Sequence, residues 1–164
     1  MEAIISAHNK SFLNKNQISA RDCNCRDKSA CPIDGKCCEK TVIYKAEIEV
    51  GGQKKNYIGC TEGEFKTRYN GHKDSFRNEK KKASTTLSSL VWATNKNPSP
   101  EISWSIITKT HKYQPSSKKY DLCTTEKVLI LKAGKDRNNI NRRNEIANLC
   151  VHRNKYKLAN LENT

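Results

Sequence analysis

The chain predicts an α+β domain on a small antiparallel sheet, preceded by a cysteine-rich arm. Three observations predict it. Two short apolar segments flank Gly51-Gly52, a third alternates after Pro100, and the stretches after the second and third segments repeat at helical spacing. The element order is therefore hairpin, helix, helix, strand, helix. A chain of 164 residues has room for one such domain plus an arm or tail, since domains commonly run to roughly 100–150 residues. We divide it as residues 1–40 (connector and cysteine-rich arm), 41–145 (principal domain) and 146–164 (basic tail).

Residues 1–22 read as a short amphipathic piece carrying Ile4, Ile5, Phe12 and Leu13, then a polar connector. From Cys23 to Cys38 the chain is cysteine-dense, turn-rich and too short to bury a core of its own, so it needs a metal or a docking surface. The spacing Cys23-x-Cys25-x₅-Cys31-x₅-Cys37, with Pro32 and Gly35 shaping the loops, offers four thiolates to tetrahedral Zn²⁺. It is not a standard finger spacing. Cys38 competes with Cys37 as fourth ligand, and Cys31 or Cys37 with Cys150 and His152 is a different ligand set. Reduced, partly exposed thiols are the plain alternative. Cys60 and Cys123 sit amid apolar neighbours and read as core residues.

Thr41 to Val50 reads as a strand with Val42, Tyr44, Ala46, Ile48 and Val50 on one face, Gly51-Gly52 as a hairpin turn, and Asn56 to Cys60 as the returning strand. Thr61-Glu62-Gly63-Glu64 reads as the entry to a helix with Phe65, Tyr69, His72 and Phe76 along one face and Arg68 at its border. Ser84-Thr85-Thr86 supplies a cap for a second helix carrying Leu87, Leu90, Val91 and Trp92, which Pro98 and Pro100 end. Ile102-Ser103-Trp104-Ser105-Ile106 alternates as a third strand, and a helix follows from about Asp121 to Ala133. The end, from Asn138 onward, reads as a turn and a short helix.

Lysine and arginine exceed aspartate and glutamate to give a formal net charge of +14. Such an excess attracts a polyanion and makes the attraction salt-sensitive, so nucleic acid is the expected partner. Positive charge recurs along the chain, at Lys54-Lys55, Lys80-Lys81-Lys82, Lys118-Lys119 and Arg142-Arg143. Of these, Lys80 to Lys82 and Arg142 and Arg143, with Lys66, are the expected backbone contacts. The N-terminal residues have neither a basic n-region nor a continuous apolar run, and the longest apolar run is Val128-Leu129-Ile130-Leu131. A bilayer-spanning helix needs about 20 apolar residues, so no membrane partner is expected and the chain reads as soluble and intracellular.

Five residues carry the chemistry: Tyr44 and Tyr57 on neighbouring strands, Arg68 and His72 four apart, and Glu126 on an otherwise apolar helical face with Leu122, Leu129, Ile130 and Ala133. A buried carboxylate in that setting needs a cation, either a divalent metal or a salt bridge to Arg68 or a lysine. Phosphodiester cleavage must generate hydroxide, neutralise phosphate charge and protonate the leaving oxygen. A tyrosine with its pKa lowered by neighbouring cations serves as base, a guanidinium holds a phosphate oxygen, and one carboxylate favours one metal ion. Each tyrosine taken singly is a packed strand aromatic, and His72 either bridges a tyrosine to the phosphate or satisfies a core hydrogen bond.

Val42-Ile43-Tyr44, Tyr57-Ile58-Gly59, Arg68-Tyr69-Asn70-Gly71-His72 and Glu126 resemble the GIY-YIG nuclease domain over about residues 41–145, with Val42 where that pattern opens on glycine. The resemblance implies a three-stranded antiparallel sheet flanked by helices and a DNA-cleaving site. In it Tyr44 is the base, Tyr57 supports it, Arg68 stabilises the transition state and Glu126 holds Mg²⁺ or Mn²⁺. Cys23-Asn24-Cys25-Arg26, Cys31-Pro32, Phe65-Lys66-Thr67-Arg68, Ser75-Phe76, Thr86-Leu87-Ser88, Leu122-Cys123-Thr124-Thr125-Glu126-Lys127 and Asn141-Arg142-Arg143-Asn144-Glu145 narrow it. Together they look like the C-terminal endonuclease module of Penelope-like retroelement reverse transcriptases, over about residues 4–157. That implies nicking of chromosomal DNA in the nucleus, a reverse-transcriptase domain in a longer polyprotein, and Asn141 as the asparagine near the site. The rival reading is a non-catalytic, zinc-stapled nucleic-acid-binding module. Action on RNA or a branched junction is a third.

Overall fold

Val42, Ile43 and Tyr44 are all fully buried, so the strand that alternation predicts as half-solvated is covered on both faces at this point. The structure, a computed structural model, describes residues 22–94, 100–112 and 121–142. The chain divides into two compact units, Met1–Cys38 and Glu39–Thr164.

In the second unit, β1 (Lys40–Val50) and β2 (Gln53–Glu64) form a hairpin, followed by helix α1 (Phe65–Arg77), a 3₁₀ turn (Glu79–Lys81), α2 (Thr86–Ala93), β3 (Ile102–Lys109) and α3 (Asp121–Ala133). The architecture is α+β, with an antiparallel sheet in the order β2-β1-β3. Gly51 and Gly52 both adopt positive φ, 57° and 74°, which is what a two-residue type I′ turn between Val50 and Gln53 demands. Tyr44 pairs with Gly59 and Ala46 with Tyr57 on one face of the sheet, while Ile43 pairs with Cys60 and Lys45 with Ile58 on the other.

Those two faces collect different chemistry. Ile43 and Ile58 pack with Leu122 and Ile130 of α3, and Cys60, Leu129 and Ala133 close around them. On the opposite face the Tyr44 ring lies 5.3 Å from Phe65, 5.8 Å from His72 and 5.8 Å from Trp104 of β3. Trp104 also meets Phe65, Tyr69 and His72, so the predicted α1 stripe docks on an aromatic cluster. Trp92 of α2 donates from Nε1 to the Ser75 carbonyl at 2.8 Å and ties the two helices together.

Thr61 to Glu64 departs from expectation, since these residues extend β2 instead of opening a helix. Their pairing across a register shift with Lys40 and Val42 is the reason. Glu64 gives no side-chain cap, and the Phe65 N–H finds the Glu39 carbonyl at 2.9 Å. Thr85 caps α2 as expected, its Oγ1 accepting from the Ser88 N–H at 3.0 Å. The free edge of β2 is covered by the segment after α3. There Asn56 N–H donates to the Asn138 carbonyl at 2.8 Å and Ile140 N–H to the Asn56 carbonyl at 2.9 Å. No helix among the described residues is long and apolar enough to cross a membrane.

Candidate functional site

Tyr44 is re-aimed by a bulge. The β1–β3 register shifts between Ile43 and Tyr44, and the phenol is carried across the neighbouring strand at Gly59. A Cβ at Gly59 would stand 2.5 Å from Tyr44 Oη and 2.7 Å from Cζ, so only glycine leaves room for the ring. The phenol then sits between two α1 side chains: its oxygen is 2.7 Å from His72 Nε2 and accepts from Arg68 Nε at 3.0 Å.

The proton positions follow from the charges. Burial, and then the Arg68 guanidinium, push His72 down to about 3, so the imidazole is neutral at physiological pH. Burial pushes the Tyr44 phenol up to about 12 even though Arg68 draws it the other way, so it keeps its proton. With Arg68 donating to the phenol oxygen, the phenol donates to His72 Nε2, which fixes the imidazole proton on Nδ1.

A cleft of about 190 Å³ opens beside this triad. It is lined by Tyr57 and Ile58 of β2, Arg68 of α1, Ser84 and Thr85 ahead of α2, Glu126 and Ile130 of α3, and Asn141. Glu126 is half-buried rather than enclosed in the core, and its charge is felt at Tyr44. Asn141 has a different commitment. Its Oδ1 accepts from the Ile58 N–H and its Nδ2 donates to the Ile58 carbonyl, both at 2.8 Å, so it extends β2 as a backbone would.

The structure thus gathers Tyr57, Arg68, Glu126 and Asn141 around one cleft and holds Tyr44 and His72 directly behind Arg68. Of the basic residues, Lys66 is half-buried on α1, Lys81 pairs with Asp74 at 2.5 Å, Lys82 pairs with Glu79 at 3.6 Å, and Lys80 and Arg142 are exposed. Arg143, Cys150 and His152 lie outside the described residues, as do the amphipathic N-terminal piece and the basic tail.

Sequence reasoning missed three contributions to the site. Local pattern marks Ser84 and Thr85 only as a cap, Trp104 only as a strand residue, and Cys60 and Cys123 only as core. The two thiols and a Glu126 carboxylate oxygen all lie within 4.8 Å of one another. The Cys123–Glu126 half was visible as an i, i+3 pair on a helix, whereas Cys60 arrives from a strand by a contact no local spacing encodes.

In the first unit, the Sγ atoms of Cys23, Cys25, Cys31 and Cys37 lie within 4.8 Å of one another, which makes them a candidate metal centre. The Cys25–Cys37 and Cys37–Cys23 sulfur separations are both 3.6 Å. Tetrahedral ligation with Zn–S bonds of ~2.3 Å asks for about 3.8 Å, close to both of these separations. Desolvation and then the adjoining Cys37 and Cys23 thiols push Cys25 up to about 12, as expected where like charges would otherwise collect. Cys31 goes the other way. Desolvation opposes its thiolate, yet N–H groups of Ile33 and Gly35 bond its sulfur and hold it down to about 7. The turn that aims them needs positive φ at Asp34 (48°) and Gly35 (82°). The four residues fit Zn²⁺; Cys38 is not among them.

Comparison of the chain with protein-family models, with curated proteins and with solved structures found no match.

Proposed function

We propose that this chain is a GIY-YIG-type DNA endonuclease that nicks one strand by metal-assisted hydrolysis, in the manner of the retroelement modules its motifs resemble. The observation that carries the reading is the Tyr44 phenol clamped between His72 Nε2 and Arg68 Nε next to a polar cleft that also holds Tyr57 and Glu126. A structural tyrosine needs one hydrogen-bond partner; this one has a proton acceptor on one side and a cation on the other.

The residues divide the work by chemistry. Arg68 commits Nε to Tyr44, and its guanidinium has further N–H donors for a non-bridging phosphate oxygen. His72 Nε2 orients the Tyr44 hydroxyl, and a dication bound at Glu126 would join Arg68 in drawing the phenol's pKa down, as Tyr44 needs in order to act as base. Glu126 is the carboxylate for Mg²⁺ or Mn²⁺, since such ions take few protein ligands and keep waters and phosphate oxygens for the rest. When bound there, the ion would activate water and offset charge on the leaving oxygen. Asn141 lines the cleft and holds β2 at its edge. The cysteine unit, loaded with zinc, would serve DNA binding, and a nuclear site of action follows from the chromosomal target.

Supercoiled plasmid incubated with the chain and Mg²⁺ tests the reading. We expect conversion to the nicked circle, lost in Glu126→Ala and reduced by at least ~100-fold in Tyr44→Phe, the contribution typical of a positioned acid or base. Binding without cleavage, or cleavage indifferent to both changes, overturns it. The non-catalytic, zinc-stapled binding module would then stand, favoured by the four-sulfur cluster.

A further inference from the structure

Beside the cleft, three donors converge from two elements: Cys60 Sγ from β2, and Cys123 Sγ and a Glu126 carboxylate oxygen from α3, all within 4.8 Å of one another. We infer that Cys60, Cys123 and Glu126 form a second metal site, separate from the four-cysteine unit, that takes a thiophilic divalent cation of the zinc class. The inhibitory consequence drawn below rests on the endonuclease reading; the site itself does not.

The donor set favours this ion chemically. Thiolates select zinc-class metals over magnesium, and two sulfurs with one carboxylate leave a fourth tetrahedral position for water or substrate. Bonds of ~2.3 Å to sulfur and ~2.1 Å to oxygen require donor separations of about 3.5–3.8 Å, within small side-chain adjustments of those present. The surroundings also fit. Cys60 packs against the apolar cluster of Ile43, Ile58, Leu122 and Ile130, while Glu126 lines the polar cleft, so the site lies between an apolar wall and the cleft.

Three anionic donors at this spacing resist ionising together, and a dication relieves that repulsion. As each metal–sulfur bond forms, the thiol proton passes to solvent.

The consequence is competition for one carboxylate. A zinc-class ion held by two thiolates occupies Glu126, the only acid lining the cleft among the described residues, and removes it from magnesium. Zinc is therefore an inhibitor of the hydrolysis proposed above.

The metal-stripped 164-residue chain under a non-thiol reductant is titrated with Co²⁺, following the thiolate-to-cobalt charge-transfer band. We expect two ions per chain, falling to one in the Cys60→Ser/Cys123→Ser double variant. Glu126→Gln should keep the band but bind the second ion more weakly. An unchanged ion count and band in the folded double variant overturn the proposal. A measurement on the unsubstituted chain guards against a variant that fails to fold: Zn²⁺ should slow alkylation of Cys60 and Cys123, mapped by mass spectrometry, and equal alkylation with and without Zn²⁺ overturns the site. In the plasmid assay, the Zn²⁺ concentration that halves nicking should rise about tenfold or more for Cys123→Ser, equivalent to one lost ligand contact of ~1.4 kcal/mol. Identical zinc sensitivity overturns the competition. If the wild-type chain does not nick at all, the endonuclease reading fails while the cobalt count and alkylation still decide the site.

Discussion

Gly59 shows how one missing methyl group sets the site. The Tyr44 ring crosses β2 where any Cβ would stand 2.5 Å from its oxygen, so Gly59→Ala must displace the phenol or bend the strand. We expect a loss of about 1–3 kcal/mol in denaturant unfolding, the cost of overpacking a filled interior, together with a fall in nicking as the phenol leaves His72 and Arg68. A variant as stable as the parent would show that the close approach is not needed. His72 makes a second prediction at this scale. Its folded pKa, about 3, lies below its ordinary value near 6.5, so between those limits the unfolded chain binds more protons than the folded one. Stability is fully present above about pH 6.5 and falls as the pH drops toward 3, by up to about 1.4 kcal/mol per pH unit from this group. Tyr44 carries the opposite sign at the alkaline end, where stability is present below about pH 10 and is lost as the pH rises toward 12. Denaturant midpoints from pH 7 to 4 for the parent and His72→Gln check the acid limb, since the variant should lose the part of the slope that His72 supplies.

Among the elements, β2 is the vulnerable one, because it borders the sheet and carries Tyr57, Ile58, Gly59 and Cys60. An unpaired edge invites misregister, and one slip would carry Tyr57 and Gly59 to the wrong face. The segment after α3 prevents this: Asn138 and Ile140 pair with Asn56, and the Asn141 amide reproduces a backbone pair with Ile58. Asn141→Asp keeps the acceptor but replaces the donor with an oxygen facing the Ile58 carbonyl. We expect a loss of about 1–3 kcal/mol, the usual result of leaving a partly buried polar group without its partner. Amide exchange at Ile58 should accelerate while that of β1 stays slow; unchanged protection at Ile58 would show that the clamp is idle. The same elements mark where sequence reading succeeds. The Gly51-Gly52 turn, the Thr85 cap, the alternation of Ile102 to Ile106 and the Asp121–Ala133 helix are local patterns that need no distant partner. The bulge at Tyr44, the extension of β2 through Glu64, the central place of β1 and the edge clamp all depend on strands or segments far apart in the chain, and no local periodicity encodes them.

For the molecule as a whole, local chemistry and global charge must agree on one partner. The candidate site was legible because Tyr44, Arg68, His72 and Glu126 are residue types that are costly in an apolar core, whereas Cys60 and Cys123 passed for ordinary hydrophobes. Net charge was legible too, at +14, but the sum does not say which lysines meet phosphate. Lys81 and Lys82 are tied to Asp74 and Glu79, and such exposed pairs are worth about 0–1 kcal/mol, too little to hold a lysine against a polyanion. Lys80, Lys81 and Lys82 should therefore be free to exchange their neighbours for phosphate oxygens. Each contact releases counterions, so the logarithm of duplex affinity should fall with the logarithm of salt concentration by about 0.9 per phosphate neutralised. Replacing Lys80, Lys81 and Lys82 together with alanine should flatten that slope by about 1 to 3 units, nearer 3 if the acidic partners let go and nearer 1 if they hold. Fluorescence anisotropy of a labelled duplex across a salt series measures it. Because phosphate contacts carry no base information, the change should be equal for unrelated sequences. An unaltered slope would place the DNA path elsewhere on the molecule, and a change confined to one sequence would mean that these lysines read bases instead of following the backbone.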